Sequence, residues 1–153
     1  MNEIKTIIYL LILCIATSLN AQDLSSLFER LDSSVVTIEV IEYKIKDQQL
    51  TTSGGLGSGV IINKEGLIIT AAHVVESANK ISVKLQNGTT FPADVVSSST
   101  AADLALLKLR IVPPNLKPAI IGNSNSSKIG EQILIIGTPR GLEHLVVWNT
   151  LYL

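Results

Sequence analysis

Residues 81–95 do more than any other stretch to limit what this chain can fold into. Ile81, Val83 and Leu85 alternate with Ser82, Lys84 and Gln86, Asn87-Gly88 comes next, and Phe91, Ala93 and Val95 then resume the apolar spacing. A period of two marks a strand with one face in a core, whereas a helix repeats its apolar positions three and four apart. Asn-Gly supplies the two positive-φ positions of a type I′ turn, so the stretch predicts a β-hairpin with Val95 on its apolar face. Other short apolar runs surround it. Val36, Ile38 and Val40 alternate with Thr37 and Glu39. Residues 60–62 and 67–70 are joined by the turn-forming Asn63-Lys64-Glu65-Gly66, and residues 104–109 run out into the Pro113-Pro114 break. Six strands within about 75 residues, joined by short turns, predict an all-β fold built on a small closed antiparallel barrel. Residues 23–30 carry apolar side chains at helical spacing and predict a turn or two of helix. The polar residues 44–53 predict a mobile loop. Residues 119–121 and 132–136 predict strands of a second unit.

Composition agrees with a β core. Hydrophobic residues make up 46% of the 153 residues and aromatics only 4%, leaving Val, Ile, Leu and Ala to fill the interior. The formal charge of −1 provides no general attraction to nucleic acid or acidic lipid. Residues 1–21 differ in kind: Lys5, then an uncharged apolar run over residues 7–16, then polar Thr17, Ser18 and Asn20 before Ala21. A run this short falls below the ~20 apolar residues a bilayer demands and predicts a cleaved export signal, with no stable membrane anchor once it is removed. The single cysteine, Cys14, lies inside that run, with Leu13 where a lipoprotein signal would need a small residue. A chain cleaved after residue 21 would therefore have neither disulfides nor thiolate chemistry.

Three segments carry chemistry: Gly54-Gly55-Leu56-Gly57-Ser58-Gly59, Thr70-Ala71-Ala72-His73-Val74-Val75, and Ala102-Asp103-Leu104-Ala105-Leu106-Leu107-Lys108-Leu109. By strand parity Asp103 shares a face with Ala105, Leu107 and Leu109. A carboxylate there loses hydration and needs a partner, its loss amounting to several kcal/mol if unpaired. His73, expected at the end of a strand bearing Leu67, Ile69 and Ala71 on its own face, is a suitable one. The residues alone leave a second reading open, in which Asp103 is a half-exposed residue where a strand begins and His73 is structural. No His/Cys/Asp/Glu cluster has metal-ligand spacing. The glycine run, with a strand after it, lacks the spacing of a dinucleotide site. No cofactor is expected.

In this order and spacing the three segments resemble the first barrel of trypsin-like, chymotrypsin-fold serine proteases of the HtrA/Deg branch. The resemblance extends to Ile136-Gly137-Thr138-Pro139-Arg140-Gly141-Leu142. It implies a chymotrypsin-like antiparallel β-barrel over residues 22–112 and the start of a second, truncated barrel over residues 113–153. It implies His73 as general base, then general acid, and Asp103 as its orienting carboxylate, in the chain order of the chymotrypsin arrangement. Polypeptide substrates follow from it, with protein quality control as the wider role. So do a periplasmic or secreted location and the option of homo-oligomerisation.

The serine nucleophile, expected in a Gly-Asn-Ser-Gly-Gly-Pro element, is absent from the sequence. Gly122-Asn123-Ser124 mimics its start, but Asn125 replaces the glycine. Ser58 sits in Gly57-Ser58-Gly59, but Leu56 and Val60 stand where a nucleophile elbow needs glycine. Residues 145–153 are hydrophobic where the family has small and β-branched residues leading to the nucleophile, and an interrupted reading frame or a truncated gene prediction near His144 is the expected cause. His144 itself reads as a surface-loop residue. The 153 residues are thus expected to be inactive by themselves. A catalytically inactive pseudoprotease, or a β-barrel binding module, is the alternative function.

Overall fold

The computed structural model describes residues 26–29, 31–46, 48–137 and 145–151, and the proposed export signal and His144 lie outside them. The chain divides into two units, Met1–Leu31 and Asp32–Leu153. In the first, residues 26–29 are helical, where the apolar spacing predicts a helical turn.

The second unit is built on six strands, β1 (Val35–Lys46), β2 (Gln49–Ile61), β3 (Leu67–Thr70), β4 (Lys80–Lys84), β5 (Thr90–Ser99) and β6 (Leu104–Leu109). They close into an antiparallel barrel in the order β1-β2-β3-β6-β5-β4. β1 closes it by pairing along both edges, so that Ile38 faces Gly57 of β2 on one side and Val83 of β4 on the other. The interior is aliphatic. Ile38, Ile68, Val83 and Leu107 are fully buried, with Val36, Ile61 and Leu109 almost so. Leu116, beyond the two prolines, also packs into this core, and Ala119 N donates to Ile61 O at 2.8 Å. A helical turn, α1 (Ala72–Val75), comes after β3 and buries Ala72 and Val75.

Several local expectations change. Residues 44–46 and 49–53 pair as the two arms of a hairpin, Lys44 with Thr51 and Lys46 with Gln49. The alternation of Ile41, Tyr43 and Ile45 continues β1 outward. The β4–β5 turn is not type I′. Gly88 has φ +81° while Asn87 keeps a negative φ, and Gly88 N donates to Leu85 O at 2.9 Å. A β-turn with one left-handed glycine after it accounts for this longer loop. A bulge between Val95 and Ser97 breaks the parity of β5, and Val95 is 43% exposed. In β3 the buried residues are Ile68 and Thr70 rather than Leu67 and Ile69. The Asn63–Gly66 turn is as expected, with Gly66 at φ +80° and Asn63 Oδ1 accepting from Leu67 N at 2.9 Å.

Residues 119–121 form no strand, and Ile120 is 97% exposed. Ser124–Ser126 form a 3-10 turn, in which Asn123 Oδ1 accepts from Asn125 N at 3.1 Å. A hairpin of β7 (Gln132–Gly137) and β8 (Leu145–Thr150) completes the described chain, pairing the hydrophobic tail with the predicted strand. Gly137 lies against Ser58 of β2, whose Oγ would sit 3.3 Å from a Cβ built at Gly137.

The barrel core sets an expectation for stability. Leu107→Ala removes a fully buried side chain and should cost about 2–5 kcal/mol in chemical denaturation. Ile45→Ala, at a position 80% exposed, should stay within about 0.5 kcal/mol. Equal shifts of the two denaturation midpoints would show that the aliphatic interior does not carry the fold.

Candidate active site

β3 and the β5–β6 hairpin bring the two predicted site residues together. Thr70 ends β3, with its Oγ1 donating to Ser58 O at 2.8 Å, and α1 begins two residues later. Ala71 at the helix start is extended and its side chain offers no cap. The first amides of a helix have no partner within it, and here one finds it elsewhere in the chain: His73 N donates to Asp103 Oδ1 at 3.1 Å. The imidazole turns to the same carboxylate, with Nδ1 at 3.0 Å from Oδ1 and 2.9 Å from Oδ2.

Asp103 is presented by a turn rather than by a strand. Its φ is +48°, a conformation that Asp tolerates better than most residues. Its amide donates to Thr100 O at 3.2 Å, closing the loop ahead of β6. Strand parity therefore stops at Leu104. Ala105, Leu107 and Leu109 point inward as expected, while Asp103 leaves their face and its side chain is 55% exposed. The expected burial of this carboxylate on an apolar face is not found. His73 belongs to α1 rather than to the end of a strand, and its side chain is 70% exposed.

The electrostatics follow from these contacts. The His73 amide holds the Asp103 carboxyl below the usual aspartate range, the ring acts in the same sense as the second cause, and desolvation opposes both. An ionised carboxylate can only accept hydrogen bonds, so the neutral ring carries its proton on Nδ1. Nε2 is left with a lone pair, the requirement for a proton acceptor.

His73 also borders a cavity of about 330 Å3, together with Val74, Glu42, Ser53, Gly55 and Leu56. Glu42 accepts from Ser53 Oγ at 3.2 Å and pairs with Lys44 at 2.9 Å. Its carboxyl is held below the ordinary range, chiefly by Lys44. Sequence reasoning misses Glu42 because residues 44–53 read as a loop; the Ile41-Tyr43-Ile45 alternation is the signal that places it on a strand opposite Ser53. Of the two serines that mimic a nucleophile, Ser58 lies within β2 and Ser124 in the exposed 3-10 turn. Among the described residues no group of three or more His, Cys, Asp or Glu could hold a metal ion.

A lowered carboxyl carries a definite pH dependence. The stabilisation from the His73–Asp103 contact is fully present above the ordinary aspartate range and is lost as pH falls through the lowered value. Following the Asp103 carboxyl carbon by NMR should place its titration below that of an ordinary aspartate. His73→Ala should raise it only part of the way, because the backbone donor remains. A titration unaffected by His73→Ala would mean that the ring does not act on this carboxylate.

Comparison with known proteins gives a consistent result. The model of the trypsin-like peptidase domain family matches residues 57–151. A probable periplasmic serine endoprotease, DegP-like, of Halomonas elongata is 43% identical over 91 residues, covering 60% of this chain and 19% of the relative. Serine protease HTRA1B of Danio rerio is 31% identical over 123 residues, covering 80% of this chain and 25% of the relative. The solved structure of HtrA-type protease AlgW with decapeptide aligns with a TM-score of 0.70 at 26% identity, over 80% of this chain and 43% of that one. The chain thus spans about a fifth to a quarter of these curated relatives.

Proposed function

The chain belongs to the HtrA/Deg-like branch of the trypsin-like serine peptidases, and on that premise we propose that it supplies the proton-transfer half of a peptide-bond hydrolase. The observation that carries the reading is the contact of both Asp103 oxygens with His73 Nδ1, at 3.0 and 2.9 Å. In this reading His73 Nε2 takes the proton of a serine hydroxyl as that oxygen attacks the substrate carbonyl. The same nitrogen then returns the proton to the departing amine. Asp103 holds the Nδ1–H tautomer throughout and balances the imidazolium that forms between the two transfers.

The 153 residues contain no serine in a Gly-Asn-Ser-Gly-Gly-Pro setting, so the reading requires a nucleophile and its oxyanion donors from a second barrel. The substrates proposed are polypeptides, with damaged or unfolded proteins as the class. The location proposed is the periplasm or another exported compartment, for which the leader-like residues 1–21 and the names of the bacterial relatives speak. Homo-oligomerisation is proposed on family analogy alone. The domain division proposed remains residues 1–21, 22–112 and 113–153.

A chimaera tests the reading. Residues 22–141 are joined to the second barrel of a DegP-like relative, including its serine element, and cleavage of casein is followed. His73→Ala should lower turnover by several orders of magnitude, about the loss of a catalytic base. Asp103→Asn should cost about 10⁴, since the amide can present a donor to Nδ1 and favour the wrong tautomer. Asp94→Asn, in the exposed pair with Arg110, should change little. The 153 residues alone should show no heat-sensitive labelling by a fluorophosphonate. Casein cleavage that is equal before and after Asp103→Asn would reduce Asp103 to a turn residue and overturn its assigned role, and a chimaera without any casein cleavage would favour the non-catalytic binding module.

A further inference from the structure

β2 carries Gly54, Gly55, Gly57 and Gly59 within six residues, a composition that weakens a strand unless close packing requires it. The four glycines meet different neighbours. A Cβ on Gly59 would lie 2.8 Å from the Ile38 and Ile68 side chains of the barrel core, and one on Gly55 would lie 2.9 Å from Val40. A Cβ on Gly57 would meet Val74 of α1, at 2.5 Å from Cγ1, 2.7 Å from Cγ2 and 3.2 Å from Cβ. Gly57 is paired with Ile38 in regular register and its φ is not positive, so its backbone would accept alanine. Only the approach of α1 forbids it.

That approach bears directly on the site, because Val74 is the residue after His73 on a helix of a single turn. The geometry points to Gly57 as the positioning residue of His73: its missing side chain lets α1 settle on β2 at the depth from which the His73 amide and ring reach Asp103. The clash cannot be relieved by rotating Val74. Both methyls and Cβ face Gly57, and a β-branched side chain in a helix has essentially one χ1 rotamer. To open a 2.5 Å contact to the 3.4 Å at which ordinary contact begins, α1 must lift by about 0.9 Å. Asp103 sits on the turn before β6, a separate element that does not travel with α1. Its contacts at 2.9–3.1 Å would then stretch beyond hydrogen-bonding range, which ends near 3.5 Å.

The importance of this residue for catalysis rests on the proposed function; its effect on geometry does not, and the experiment reads geometry. The Asp103 carboxyl carbon is titrated by NMR in the 153-residue chain, in Gly57→Ala, and in Gly57→Ala combined with Val74→Ala. Gly57→Ala should move the Asp103 titration up towards the ordinary aspartate range. The double variant, with the obstructing methyls removed, should return it to the parent position. Asp94, held low chiefly by the Arg110 hydrogen bond, serves as an internal reference and should stay in place in every folded variant.

An Asp103 titration unchanged in Gly57→Ala overturns the proposal. So does a double variant that fails to return, whether it is folded or not. Should Gly57→Ala alone unfold, moving Asp94 as well, the double variant decides: recovery of both carboxyls supports the proposal and anything less overturns it. Loss of casein cleavage in the chimaera would leave this result standing, and failure here would leave the hydrolase reading standing.

Discussion

The whole arrangement depends on β1 being paired along both of its edges. Ile38 is fully buried between Gly57 and Val83, and that double pairing turns a six-stranded ribbon into a closed barrel. An open sheet of these strands would leave rows of amides and carbonyls unpaired and an aliphatic face uncovered. Closure also fixes distances between elements that are remote in sequence. The turn holding Asp103 and the turn of helix holding His73 are 30 residues apart, yet β3 and β6 pair side by side, with Thr70 opposite Ala105. The two site residues thus lie just beyond paired strand ends.

How far the sequence discloses this depends on how local each determinant is. The alternation of Ile81 and Val83 with polar neighbours reports burial directly, and the structure buries both. Gly66 and Asn63 form a turn through contacts made within the segment itself. Parity fails where a single residue leaves the regular conformation. The bulge after Val95 and the positive φ of Asp103 each reset the facing of adjoining residues, and neither leaves a compositional mark. The β1–β2 extension is hidden for another reason. Most of its residues are polar because both faces are wet, even Ile45 and Leu50 being exposed, and pairing across the hairpin holds them extended without a core to face. Residues 119–121 err in the opposite sense, since apolar character with a single backbone bond, from Ala119 N to Ile61 O, does not make a strand.

The site is legible as residue types and opaque as an environment. His73 and Asp103 do meet, but in the open, with much of each side chain exposed. The carboxylate is held ionised by donors rather than threatened by burial. Its two principal donors, a backbone amide and a ring nitrogen, belong to the same residue, so a displacement of α1 as a whole loosens both. Such a contact acts as an orienting device more than as a source of stability, since exposed ion pairs contribute little to folding.

The presentation of Asp103 from a hairpin turn bears on how this fold can vary by insertion and deletion. The β1–β2 hairpin ends at the Lys46–Gln49 pair, some eight residues along the strand from Gly57, so its tip can lengthen or shorten without disturbing the site. The β5–β6 connection has no such freedom. It runs from the bulge at Val95 to a left-handed residue that must be the one carrying the carboxylate. One residue more or fewer there would hand the left-handed position to Ala102 or Leu104 and swing the acid away from the imidazole. Related chains should therefore record their history in the length of the first hairpin and remain constant in the length of the other.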